Sequence, residues 1–147
     1  MKDWPIFRNL RRFEQNVARL MINAYRDAFE ASGNGLFAWR AYKLSRRAKV
    51  DPPTWVLEYM DAVAKSLEKK GALKHADGKA VLGIQTKGQG DAWTQADSTF
   101  RRIETRGEFE QLVNYENMDR EDVIAALAEQ YKVSTREIED RLAKAPY

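Results

Sequence analysis

DREDVIAALAEQYKVSTREIEDRLAK, residues 119–144, decides how this chain of 147 residues is read. Val123, Ile124, Leu127, Ala128 and Tyr131 recur at three- and four-residue steps, the spacing that gives a helix one buried face. Asp119 stands where that helix needs a cap. Ser134 opens a second helix, and Glu137 three residues on makes a capping box, in which each side chain takes up a free amide of the other's turn. Ile138 and Leu142, one turn apart, supply the second helix's inner face, and Tyr131-Lys132-Val133 is the short connection. The stretch predicts two short helices and a tight turn.

The run resembles a bacterial helix-turn-helix. Ala128 stands at the place of the small residue that lets the helices cross, Lys132-Val133-Ser134 at the turn, and Ile138 at the branched anchor of the second helix. Lys132 replaces the glycine the family favours; at positive φ a lysine there costs roughly 1 kcal/mol, which a fold tolerates. The resemblance implies that residues 135–144 enter a DNA major groove. Thr135, Arg136, Glu139 and Asp140 fall on its base-reading positions, with Ser134, Arg141 and Lys144 beside them. Carboxylates can accept a hydrogen bond from cytosine N4. Glu137, Glu139 and Asp140 balance Arg136, Arg141 and Lys144, so phosphate attraction has to come from elsewhere. The other reading is a helical pair used for packing or for docking a protein partner.

Charge points to where that attraction would come from. The chain carries a net +3, yet residues 1–50 hold 11 basic against 4 acidic groups, whereas residues 101–147 hold 8 against 11. A nucleic acid bound by this chain would therefore also touch the amino-terminal half, or two copies would meet. With 147 residues, 44% hydrophobic, the chain suffices for one domain or two small helical units sharing a core. No run of about 18 apolar residues signals a membrane span. The start, Met1-Lys2-Asp3-Trp4-Pro5 before Arg8, Arg11 and Arg12, lacks the apolar core of an export signal. With no cysteine there are neither disulfides nor thiolate metal sites, which fits a reducing cytoplasm.

Upstream, Leu10, Phe13, Val17, Leu20, Met21, Ala24 and Ala28 trace one stripe of a helix over residues 9–31, and Ile22, Tyr25 and Phe29 form a second apolar side. Trp4, Ile6 and Phe7 are expected to fold back as an apolar flap. Ser32-Gly33-Asn34-Gly35 stops the helix. The next helix, residues 36–49, turns Phe37, Ala41, Leu44 and Ala48 inward and Arg40, Lys43, Arg46 and Arg47 outward, flanked by Trp39 and Tyr42. Cations beside aromatic rings are what a phosphate-tracking surface needs. Asp51-Pro52-Pro53-Thr54 begins a third helix with Val56, Tyr59, Met60, Val63 and Leu67 inside, ended by Gly71.

Residues 72–91 carry Gly78, Gly83, Gly88 and Gly90 and are expected to be a flexible connector with one short helical turn. Thr86-Lys87-Gly88-Gln89-Gly90 lacks phosphate-loop spacing. Asp91 caps a helix bearing Trp93, Ala96, Phe100 and Ile103, with a bend at Gly107 before Phe109, Leu112, Val113 and Tyr115. His75 is the only histidine, and the carboxylate pairs Glu108/Glu110 and Glu139/Asp140 read as solvated faces, so no catalytic or metal-binding constellation is expected.

The expectation is an all-α protein: an N-terminal three-helix bundle (1–71), a glycine-containing connector (72–91) and a C-terminal three-helix unit of helix-turn-helix type (92–147). Its order is similar to that of small proteobacterial and phage-type proteins. The function expected is a non-enzymatic, cofactor-free, cytoplasmic regulator that binds double-stranded DNA as a homodimer, with no membrane association and no effector domain beyond Pro146-Tyr147. The alternative is an adaptor or inhibitor that docks a protein partner.

Overall fold

Apolar stripes punctuated by glycine, proline and capping residues become six helices in the computed structural model, which describes residues 15–69, 78–84 and 91–143. They are α1 (Gln15–Ser32), α2 (Leu36–Ala48), α3 (Thr54–Glu68), α4 (Ala92–Glu110), α5 (Arg120–Tyr131) and α6 (Thr135–Ala143). A single helical turn at Gly78–Val81 lies between α3 and α4, and no strand occurs among the described residues. The architecture is all-α. The predicted flap at Trp4, Ile6 and Phe7, residues 9–14 of the first predicted helix, His75, residues 85–90 and Lys144 lie outside the described residues.

Local signals set the helix boundaries. The left-handed Gly33 ends α1, and the Asn34 side chain accepts from the Leu36 amide at 3.1 Å, capping α2. The same side chain donates from Nδ2 to the Ala92 carbonyl at 2.9 Å, so one buried asparagine ties the start of α2 to the start of α4. Lys49, left-handed at φ 56°, closes α2. Pro53, in extended conformation, leads into α3. Asp91 caps α4 as predicted, accepting from the Thr94 amide at 2.8 Å. Asp119 occupies the cap position of α5 but makes no side-chain cap bond.

One apolar cluster runs through both predicted units. Val17, Met21 and Tyr25 of α1, Phe37 and Leu44 of α2, Phe100 and Ile103 of α4, Val123 and Leu127 of α5 and Ile138 of α6 all belong to it. Because α1 lies against both α2 and α4, the second apolar side of α1 is covered within the chain. Tyr25 meets Phe100 edge-on with ring centroids 6.3 Å apart, and Phe37 does so at 5.0 Å. Four residues assigned to the inner stripes lie outside: Leu20 is 47% exposed, Leu67 42%, Trp93 50% and Tyr115 44%. Leu67 lies in the last turn of α3.

The described part of the connector, residues 78–84, is docked at one point. Tyr59 donates its hydroxyl hydrogen to the Leu82 carbonyl, and the Gly35 amide donates to the Gly83 carbonyl at 2.8 Å, so residues 82–83 seal the α2–α3 corner. The helix is not interrupted at Gly107. α4 runs through it, and the helix changes form only at Gln111–Tyr115, a π-helical stretch whose end is marked by the Glu116 amide donating to the Gln111 carbonyl at 3.1 Å. Gly107 instead permits close approach: a Cβ there would overlap Sδ of Met21, a fully buried side chain of α1.

Gly107→Ala is accordingly expected to lower stability by about 1–2 kcal/mol through overpacking. In a Met21→Ala background the same change should become neutral or stabilising by roughly 0.5–1 kcal/mol, because helix propensity then dominates. Urea unfolding of the four chains of this cycle measures the sign reversal; equal effects in both backgrounds would refute the contact.

Candidate nucleic-acid interface

α5 and α6 are joined by Lys132, Val133 and Ser134. Lys132 takes the left-handed conformation, φ 56° and ψ 46°, its amide donating to the Glu129 carbonyl at 3.3 Å, while the Val133 amide reaches Ala128 O at 3.0 Å. The lysine thus adopts the backbone for which glycine is favoured. Ser134 Oγ accepts from the Glu137 amide at 3.1 Å, but Glu137 does not return the bond: its carboxylate turns forward to Arg141 Nε, 3.1 Å away. Only half of the predicted capping box forms, because an i,i+4 arginine competes for the glutamate.

The hairpin sets its apolar edge on α4 and leaves its polar edge in solvent. Ile138 is fully buried, whereas Ser134, Thr135, Arg136, Glu139 and Asp140 are exposed. Arg141 departs from expectation. It is 6% exposed, its Nη1 donates to Thr105 Oγ1 at 3.4 Å, and its guanidinium lies 5.3 Å from the Tyr131 ring centroid. Arg141 is therefore removed from the set of solvent-facing contact residues: a long side chain one turn beyond Ile138 on a packed helix is drawn onto the polar atoms of α4 instead of outward. Between residues 119 and 143, seven acidic side chains but only three basic ones (Arg120, Lys132 and Arg136) are exposed.

Beneath the hairpin is a buried polar cluster. Glu108, predicted on a solvated face with Glu110, is 2% exposed and accepts from Gln130 Nε2 at 3.2 Å and from the Tyr131 hydroxyl. Burial raises its carboxyl to about 7, the tyrosine and glutamine bonds offsetting part of that rise and the nearby Glu104 adding to it. Burial likewise pushes the Tyr131 hydroxyl far above its ordinary range, helped by the Glu108 charge. Glu108 lies one turn from Thr105 and from Leu112, on the stripe that faces the hairpin; that spacing, three and four residues from two buried positions, was the sequence signal for its burial.

Cations next to α6 come from α4. Arg101 and Arg102 share with Ser98, Glu137, Asp140 and Arg141 a recess of about 200 Å³ between the two helices. Arg101 is 58% exposed and pairs with Asp97 at 2.8 Å, a surface contact of small worth that a phosphate can displace. Arg106 donates to the Leu142 carbonyl at the end of α6, where a cation also suits the helix dipole. These arginines follow Phe100 off the apolar stripe and no sequence signal singled them out; the placement of α6 brings them beside it.

The predicted α2 cluster is elsewhere and is not uniform. Arg40 is ion-paired with Glu104 and packed over Phe100 and Trp93, its guanidinium 4.1 and 4.9 Å from the two ring centroids. Arg40, Lys43 and Arg47 line a second cleft, which shares no residue with the recess beside α6. Arg46 is exposed. Of the aromatics expected to flank these cations, Tyr42 packs on the apolar core and Trp39 stands edge-on to Tyr59, centroids 6.0 Å apart. Lys144, the last predicted contact, lies outside the described residues.

Among the described residues no helix is long and apolar enough to cross a membrane. Comparison with models of known families, with curated proteins and with solved structures finds no match for this chain.

The buried carboxyl makes stability depend on pH in a definite direction. Glu108 binds its proton more tightly folded than unfolded, so its contribution is complete below the ordinary glutamate range and is lost as pH rises through about 7. Relative to wild type, Glu108→Gln should gain on the order of 2–3 kcal/mol between pH 5 and pH 8. Chemical denaturation at both pH values reads the change, and parallel pH profiles for the two proteins would rule out a buried, titrating Glu108.

Proposed function

We propose that this protein binds double-stranded DNA through the α5–α6 hairpin, with α6 as the helix presented to the major groove. The observation that carries the reading is the division of α6 into a packed edge and a solvent-facing polar edge, held by a three-residue turn with a left-handed Lys132 and a serine cap. Thr135 and Arg136, in the first turn, would read bases, where the amides at a helix start also favour phosphate oxygens. Glu139 and Asp140 would accept from cytosine N4, a specific contact that contributes nothing to general affinity. Arg101 and Arg102, rather than the whole α2 cluster, are the cations best situated to hold the backbone. One hairpin with so few cations supplies few contacts, so a two-fold dimer on paired half-sites is part of the proposal.

A second reading has its own support. The acidic excess on the exposed hairpin suits a basic protein partner, in which case the chain is a non-enzymatic adaptor or inhibitor.

Labelled duplex from a randomised pool, titrated at several salt concentrations, tests the first reading. Arg136→Ala is expected to relax sequence preference at one position by about 1–3 kcal/mol, whereas Arg101→Ala with Arg102→Ala should weaken all duplexes evenly and flatten the salt dependence by roughly 2 in log–log slope. Reversing charge with Glu139→Lys and Asp140→Lys separates the readings: duplex affinity rises non-specifically if DNA is the ligand, and binding of a basic partner is lost if a protein is. No duplex binding even at low salt would eliminate the DNA reading.

A further inference from the structure

The second cleft has a chemistry of its own. Arg40, Lys43 and Arg47 follow one another at three- and four-residue steps along α2 and line, with Trp93 and Glu104 of α4, a space of about 230 Å³. Arg40 is already engaged: it pairs with Glu104, lies over the Phe100 and Trp93 rings, and donates to the Tyr25 hydroxyl oxygen. Lys43 and Arg47 form no direct ion pair among the described residues; Glu104, which also lines the cleft and feels the Lys43 charge, is paired with Arg40, so three cations and one carboxylate leave the cleft a net positive charge. At its other side stands Trp93, half exposed on an otherwise apolar stripe. The residue is not loosely placed. The Asp91 cap and the Asn34 bond to the Ala92 carbonyl pin the first turn of α4, so the indole is held in position before anything binds.

We propose that this cleft binds a small aromatic phosphate monoester of nucleoside 5′-monophosphate type, with its phosphate between Lys43 and Arg47 and its planar ring against Trp93. The pairing of charges decides the phosphate, because two unpaired cations match a dianion, while a monocarboxylate would leave one of them without a partner. Trp93 packs on Phe100 and carries Arg40 over its ring, yet stays half exposed, which leaves indole surface for a ligand ring to stack on. This site shares no residue with the recess beside α6 and does not depend on the DNA reading.

Isothermal titration of the full chain with adenosine 5′-monophosphate, adenosine and inorganic phosphate, without DNA, tests the proposal. The nucleotide is expected to bind at least about tenfold more tightly than either fragment. Lys43→Ala with Arg47→Ala should weaken the nucleotide about tenfold or more and leave adenosine unchanged, whereas Trp93→Leu should weaken nucleotide and nucleoside alike. Thermal melts establish that the variants remain folded. Absence of binding at millimolar nucleotide, affinity no better than that of phosphate alone, or indifference to both variants would overturn it.

Discussion

A charge taken out of water must be matched inside, and in this protein that requirement converges on one turn and a half of α4. Glu104 takes Arg40 from α2, Thr105 takes Arg141 from α6, and Glu108 takes Gln130 and Tyr131 from α5. Apolar contact alone is non-directional and would allow the hairpin to slide or rotate on α4. The polar contacts do not: each has one donor direction and one acceptor, and losing a partner strands a buried group at a cost of about 1–3 kcal/mol, more where it is charged. α4 therefore acts as the post on which the amino-terminal pair and the terminal hairpin are both hung.

The same requirement reshapes the surface charge. Composition counts every arginine as a cation available to a partner, but Arg40 and Arg141 are spent on internal contacts and Arg106 on the end of α6. Burying Arg141 while Glu139 and Asp140 stay outside turns a helix balanced in sequence into one whose outer face leans acidic. Any polyanion approaching it depends on arginines from a neighbouring helix, which narrows the geometry in which a duplex could be held.

The helices themselves were legible because apolar period, proline and glycine act locally: the stops at Gly33 and Lys49, the start after Pro53, the Asp91 cap and the Lys132-Ser134 turn all fall where short-range chemistry puts them. What could not be read was tertiary. The glycines of residues 72–91 suggested a connector between helical units sharing a core, but not which helices would meet: α1 reaches α4 through the gap that Gly107 leaves for Met21. Polar residues on an apolar stripe were assigned to solvent, since propensity cannot say that Gln130 and Tyr131 will arrive to meet Glu108. The α4 arginines went unnoticed for the same reason, while Arg40 and Arg141 were overvalued.

α4 is also the only element, among the described residues, that lines both recesses. At 100° per residue, Trp93 and Glu104 lie on one side of the helix and Ser98, Arg101 and Arg102 roughly a quarter to a half turn round it. A ligand in the first and a polymer at the second would touch the same rigid rod on different faces. Influence between them cannot pass through shared contact residues, because there are none. It has to pass through rotation or shift of α4 itself, and the internal pairs at Glu104, Thr105 and Glu108 are the contacts that would resist such a movement. The polar row that fixes the fold is thus the row across which any coupling of the two sites would be felt.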